Sequence, residues 1–172
     1  MAKNISVELS VSGINKAIKE LKKYKKELKK KVNHLIDVML ETGEDYAINE
    51  LGHVDTGDTL NSIYGYRKGS HGVIVAGGNA IWIEFGTGVY YNKSEGGSPH
   101  PKGQELGMTI GGYGNHNGMK DGWFYPTEDP RYEIKNSGYA YTHGIKSNAF
   151  MYRTAQELRR QLPELAKRVF DE

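Results

Sequence analysis

The tripeptide Asp55, Thr56 and Gly57 is the one that aspartic proteases use to place a catalytic carboxylate. In those enzymes two such carboxylates share a proton and activate a water molecule. That chemistry needs the tripeptide at the end of an apolar strand, whereas here it follows Gly52 and a charged amphipathic segment. The favoured interpretation is a turn in which Asp55 accepts a backbone N–H and Gly57 supplies an unusual φ.

Neither histidine nor cysteine indicates a catalytic or metal-binding site more strongly than this tripeptide does. Cysteine is absent, which excludes disulfides, thiol catalysis and thiolate metal sites. No two of the six histidines have the four-residue spacing of a metal-binding helix. A site at His100, His116 and His143 would require a glycine-rich segment to fold around them, so scattered loop or surface histidines are the favoured interpretation. We therefore predict no enzymatic activity, no cofactor and no metal.

A single carboxylate, Glu84, stands inside the apolar run from Trp82 to Phe85, which ends at Gly86-Thr87-Gly88. A carboxylate in such surroundings needs hydrogen-bond partners. The Thr87 hydroxyl, backbone N–H groups or an arginine of another subunit could supply them. A lone catalytic carboxylate is the alternative, but the sequence places no second acid, histidine or nucleophile close to it.

Lysines dominate one short segment. Residues 16–31 contain nine lysines and two glutamates, although the net charge of the whole chain is only +2. On a helix these lysines lie opposite the apolar side chains, which indicates a solvated face or a face for an acidic partner. Contact with nucleic-acid phosphates is the alternative. The candidate contacts are Lys19, Lys22, Lys23, Lys26 and Lys30.

Hydrophobic periodicity predicts the elements that carry these residues. Alternation over 5–11 indicates a strand that ends at Gly13, and three- and four-residue spacing over 14–51 then indicates a helix of about 55 Å. Either Gly43 breaks this helix or the helix runs along a large surface, and Gly52 is placed to cap it.

Shorter elements follow. Strands near 62–67 and 73–76 suggest a hairpin, while 79–85 is too short to assign to helix or strand. Ser147 or Asn148 can cap a final amphipathic helix that Pro163 should kink or restart. The predicted fold class is α+β: an N-terminal strand, a long amphipathic helix, a small antiparallel sheet and a C-terminal helix.

Residues 89–146 differ in composition from the rest of the chain. They are rich in glycine, contain seven of the twelve tyrosines and four of the five prolines, and have few aliphatic side chains. We predict a single domain over 1–172 in which 89–146 is an inserted excursion, ordered by contacts with neighbouring subunits through tyrosines. Residues 139–143 could form a returning strand.

The order of several motifs resembles a phage family. These motifs are Val54–Gly57 followed by Leu60 and Ser62-Ile63, then Ile83–Gly88, and finally Asn148–Met151 at the start of the last helix. The chain looks like the neck and tail-completion proteins of long-tailed bacteriophages and prophages. The resemblance covers about residues 4–88 and 145–170. It departs from the family at His53, commonly proline, at Asp58, commonly basic, and in the long link between the last two motifs.

The resemblance implies a structural virion protein that is assembled in the host cytoplasm and lies in the neck or at the head-proximal end of the tail. It would form a hexameric or twelvefold ring that contacts other neck, connector and tail-tube proteins, with no membrane partner. The alternative is a nucleic-acid-binding module that uses helix 16–31. The suspected subunit or partner contacts are Asp55, Thr56, Gly57, Asp58, Glu84, Phe85, Gly86, Thr87, Gly88, Tyr90, Tyr91, Tyr113 and Tyr125.

Overall fold

A computed structural model describes most of the chain. The described residues are 7–52, 57–87, 100–103, 105–106, 123–135, 137–142 and 144–171. In chain order the elements are α1 (Val11–Leu51), α2 (Asp58–Asn61), β1 (Tyr64–Lys68), β2 (His71–Val75), α3 (Ala80–Phe85), β3 (Trp123–Pro126), β4 (Tyr139–Thr142) and α4 (Phe150–Asp171).

The chain enters α1 without a preceding strand in its described part. Residues 7–10 are irregular, and the side chains of Val7 and Leu9 are 52% and 96% exposed. The Ser10 hydroxyl accepts the Gly13 N–H at 3.0 Å, an interaction typical of a helix start. The predicted strand is therefore wrong over 7–11, because no sheet buries its apolar alternation and Ser10 favours a helix. Residues 1–6 lie outside the described part.

Helix α1 runs unbroken through Gly43 and ends at Leu51, and the next residue, Gly52, has the φ of +64° of the left-handed cap that the sequence predicted. Gly43 has a packing role. A Cβ at this position would lie 2.9 Å from Leu158 Cδ1 and closer still to Ile74 Cδ1. The missing side chain thus lets β2 and α4 approach the helix backbone closely.

The described residues belong to two compact units, the first made of the described residues within 7–45, 65–74 and 156–171. Strands β1 and β2 of this unit form the predicted hairpin. Gly69 and Ser70 connect them, and a connection of two residues can join only antiparallel strands. Arg67 donates to the Asn33 carbonyl at 2.7 Å and pairs with Asp37. Lys31 Nζ donates to the carbonyls of Val169 and Phe170 at the end of α4. These contacts join the hairpin and α4 to the middle of α1.

The second unit comprises the described residues within 46–64 and 75–155. Its most deeply buried apolar side chains are Ala47, Leu51, Ile83, Ala140 and Phe150, each at most 1% exposed. Strands β3 and β4 form an antiparallel ribbon in which Phe124 pairs with Tyr141, so the predicted strand near 139–143 is confirmed for residues 139–142. Two elements of the predicted insertion 89–146 therefore have regular structure.

The fold class α+β is confirmed, with two two-stranded sheets where one small sheet was predicted. The run 79–85, left unassigned from sequence, forms α3. Helix α4 continues through the exposed Pro163, so of the two predicted effects, a kink or a restart, the restart is wrong. The single domain over 1–172 stays a prediction. None of the described helices combines the length and the apolar character that a membrane span needs.

Candidate functional site

Glu84 caps the N-terminus of α4 from another helix. The Glu84 side chain is 10% exposed, and its Oε2 accepts the backbone N–H of Met151 at 2.9 Å while its Oε1 accepts that of Tyr152 at 3.0 Å. The first N–H groups of a helix have no partner within the helix, and the helix dipole places partial positive charge there. A carboxylate is the natural acceptor at such a position. The prediction that Ser147 or Asn148 caps this helix is therefore wrong.

His100 supplies the third hydrogen bond to this carboxylate. Its Nε2 lies 2.7 Å from Glu84 Oε1, and its Nδ1 accepts the Lys102 N–H at 2.9 Å. Because Nδ1 is an acceptor, Nε2 carries the proton and donates it to Glu84. The His100 ring lies between the rings of Phe85 and Tyr152, with centroids 4.5 and 5.5 Å away.

The end of α3 and the start of α4 cap each other. The Asn148 N–H donates to the Ile83 carbonyl at 2.8 Å, and the Ala149 N–H donates to the Glu84 carbonyl at 3.1 Å. The Ser147 hydroxyl adds a hydrogen bond of 2.6 Å to the Glu84 carbonyl. The last carbonyls of α3 thus receive donors from 147–149, and the Glu84 side chain receives donors from the first turn of α4. We call residues 83–87, 100 and 145–152 the Glu84 cluster.

Gly86 and Thr87 complete the cluster through their backbone and through the Thr87 hydroxyl. Gly86 has a φ of +77°, and a Cβ there would lie 2.7 Å from the Ser147 nitrogen and 2.8 Å from the Ile145 carbonyl oxygen. The Thr87 N–H donates to the same carbonyl at 2.8 Å, and its hydroxyl accepts the Ile145 N–H at 3.1 Å. Only glycine satisfies both the backbone angle and the close approach.

Arg153 joins the end of α1 to this cluster. Its guanidinium pairs with the Glu50 carboxylate and donates to the Asn148 side-chain oxygen at 2.7 Å. It also donates to the carbonyls of Glu50, at 3.3 Å, and of Asn148. Five donors in a rigid plane suit an arginine to this bridging position.

Hydrogen bonds within the chain occupy the titratable Glu84 and His100 side chains of the Glu84 cluster. Both carboxylate oxygens accept donors, both imidazole nitrogens are hydrogen-bonded, and His100 is only 6% exposed. A proton-transfer pair must be reached by its substrate, whereas these groups are engaged in holding two helix ends together. Within the described ranges, no group of three or more histidine, aspartate or glutamate side chains could hold a metal ion.

A second feature lies at the other end of α1. Between residues 7 and 32 nine large apolar side chains are exposed, among them Leu21 at 53% and Leu28 at 39%. The lysines beside them are exposed as well, including all five candidates Lys19, Lys22, Lys23, Lys26 and Lys30. We call Ile14, Ile18, Leu21, Tyr24, Leu28 and Val32 the lysine-flanked stripe.

The predicted contact residues fall into three groups. Glu84, Phe85 and Gly86 are buried within the chain, and Thr87 is half-buried. Gly57 precedes α2 with a φ of +86°, Asp58 is the exposed first residue of α2, and Tyr125 is 36% exposed on β3. The remaining six lie outside the described residues: Asp55, Thr56, Gly88, Tyr90, Tyr91 and Tyr113.

The sequence predicted one class of partner for Glu84 correctly, the backbone N–H groups, but missed two other side chains of the site: His100, which contacts Glu84, and Arg153, which contacts Glu50 and Asn148. His100 was interpreted as a loop histidine, and Arg153 was not singled out. Neither residue has a periodic relation to its partner, since 16 residues separate His100 from Glu84 and 103 separate Arg153 from Glu50. The signal in the sequence that could have pointed to His100 was the requirement of the buried Glu84 carboxylate for hydrogen-bond donors.

Comparisons with known proteins leave the site to be interpreted from its own geometry. No protein family, curated protein or solved structure matches this chain.

Proposed function

We propose that this chain is a structural protein of a tailed phage or prophage particle, which forms a ring in the neck or at the head-proximal end of the tail. The observation that carries the proposal is the lysine-flanked stripe. Six large apolar side chains in one row on α1 are each between 38% and 53% exposed. Exposed apolar patches of this kind often mark contact surfaces, which supports a partner along this helix.

The Glu84 cluster supports the same proposal. Two of the motifs that carry the phage resemblance, Ile83–Gly88 and Asn148–Met151, lie against each other in it through their described residues. Their distinctive residues serve helix capping and close backbone approach. This use agrees with a protein whose task is to hold its shape within an assembly.

Interruption of the gene in its parent phage or prophage tests the proposal. Electron microscopy of the lysate should show separate DNA-filled heads and tails, or tails of defective length. Normal infectious particles would refute it.

A pair of point variants sharpens this test. Leu21→Gln changes the lysine-flanked stripe at an exposed position and should leave the fold intact while reducing particle yield. Lys23→Gln, on the polar face of the same helix, is the matched control and should assemble normally. Circular dichroism of both purified proteins checks that the helix content is unchanged.

The exposed lysines favour a second candidate function, nucleic-acid binding through helix 16–31. Phosphate contacts by several lysines produce affinity that falls steeply with salt, and each lost contact reduces the salt slope by about one. Binding to duplex DNA measured from about 50 to 200 mM salt would reveal this behaviour. In this case Lys23→Gln should weaken binding and Leu21→Gln should not, the reverse of the pattern expected for assembly.

A further inference from the structure

The charge around the lysine-flanked stripe restricts what can cover it. Nine lysines and two glutamates give residues 16–31 a net charge of +7, so the rest of the chain carries −5. Two copies of this segment packed against each other would bring like charges together along the whole contact, which is destabilising. A partner surface with apolar side chains and acidic groups is required instead.

The β3–β4 ribbon offers such a surface. Outside residues 7–32, five of the twelve exposed large apolar side chains in the described chain lie between 124 and 141. Opposite residues of an antiparallel pair share a face, and neighbouring pairs alternate between faces. The buried Ala140 therefore marks the inner face, while the outer face carries Phe124 with Tyr141 and Pro126 with Tyr139.

The aromatic outer face suits the lysine-flanked stripe chemically. Phe124 and Tyr141 are 64% and 40% exposed, and their ring centroids are 5.0 Å apart, so they present a continuous aromatic surface. Lysine ammonium groups are attracted to aromatic ring faces. The connection between the two strands carries Glu128, Asp129 and Glu133 against Arg131 and Lys135, which gives it a net charge of −1.

We propose that the lysine-flanked stripe of one copy docks on the outer face of the β3–β4 ribbon of the next copy. The two surfaces differ, so the contact is heterologous and repeats around a ring when the rotation closes. The inference rests on the proposed function, because it names the subunit contact from which the ring would be built. It also brings the basic segment of each copy to the acidic remainder of its neighbour.

Cysteine pairing tests the contact directly, since the chain has no cysteine of its own. Leu21→Cys and Phe124→Cys are made as separate proteins, mixed and oxidised. Cross-linked dimers should form in the mixture at least about tenfold above the mixture of Lys23→Cys with Phe124→Cys, because a disulfide requires Cβ atoms within roughly 4 Å. The chain carrying both Leu21→Cys and Phe124→Cys should give a ladder of oligomers.

Several outcomes would overturn the contact. Cross-linking of Leu21→Cys protein to itself would show that the lysine-flanked stripe of one copy contacts the same stripe of another copy. Native mass spectrometry that finds only monomers, together with the absence of cross-links, would show that the copies do not contact each other. Rings without the mixed cross-link would refute this contact and leave the proposed ring standing. The mixed cross-link in open chains would support the contact, while the lysate experiment decides the proposed function separately.

Discussion

Replacement of Glu84 by glutamine should destabilise the protein more than any exposed Glu→Gln change. The carboxylate accepts three N–H donors, from His100, Met151 and Tyr152. A glutamine has one oxygen and one NH2 group. If its oxygen keeps His100 and Tyr152, its NH2 group faces the Met151 N–H, donor against donor.

The magnitude follows from these contacts. One buried N–H left without an acceptor costs about 1–3 kcal/mol. The loss of negative charge at the start of α4 costs about 1 kcal/mol more, the upper part of the range for helix ends. The free energy of unfolding should therefore fall by about 2–4 kcal/mol, out of a total of about 5–15 kcal/mol for a typical protein.

Urea unfolding followed by circular dichroism at pH 7 measures this difference. With a slope of about 2 kcal/mol per molar urea, the midpoint should fall by about 1–2 M. The exposed Glu128→Gln is the matched control and should change stability by less than about 0.5 kcal/mol. A Glu84→Gln protein as stable as this control would refute the capping role of Glu84.

Three further changes test other parts of the structure. Gly86→Ala should lower the free energy of unfolding by about 2–5 kcal/mol in urea, because its φ of +77° disfavours an L-residue and its Cβ would lie 2.7 Å from the Ser147 backbone nitrogen; an unchanged midpoint would contradict the close approach. Ala149→Gly should raise the thermal midpoint, since Ala149 has a φ of +54° that costs an L-residue about 1–2 kcal/mol; a lower midpoint would show that this angle is not strained. NMR titration should find the pKa of Glu157 at about 2, lowered from its ordinary 4.5 mainly by the hydrogen bond from Arg160. A lowered pKa means stability that is present above pH 4.5 and lost as the pH falls towards 2, and Arg160→Gln should return the pKa towards 4.5.

Local patterns predicted the local elements well. The spacing over 14–51 gave the long helix, and Gly52 gave its end, because both signals lie within the residues that form the structure. The alternation over 5–11 misled, since a strand needs a partner that a local pattern cannot show. The Glu84 cluster could be predicted only in part, because its pairing depends on how residues distant in sequence are brought together.

Helix α1 shows why the same pattern can have two meanings. Its apolar spacing is continuous, yet Gly43, Ala47 and Leu51 are buried within their own chain while Leu21 and Leu28 are exposed. Amphipathic spacing reports that one face of a helix needs cover, and it does not report which molecule provides it. The distribution of charge makes that distinction in α1. All of its lysines lie within residues 16–31, beside the exposed apolar side chains. The part of the helix after residue 31, which packs within its own chain, contains no lysine or arginine. The exposed part of α1 is thus also its basic part. Two copies of this part in neighbouring chains would repel each other, which favours a contact between the basic part and a different, acidic surface.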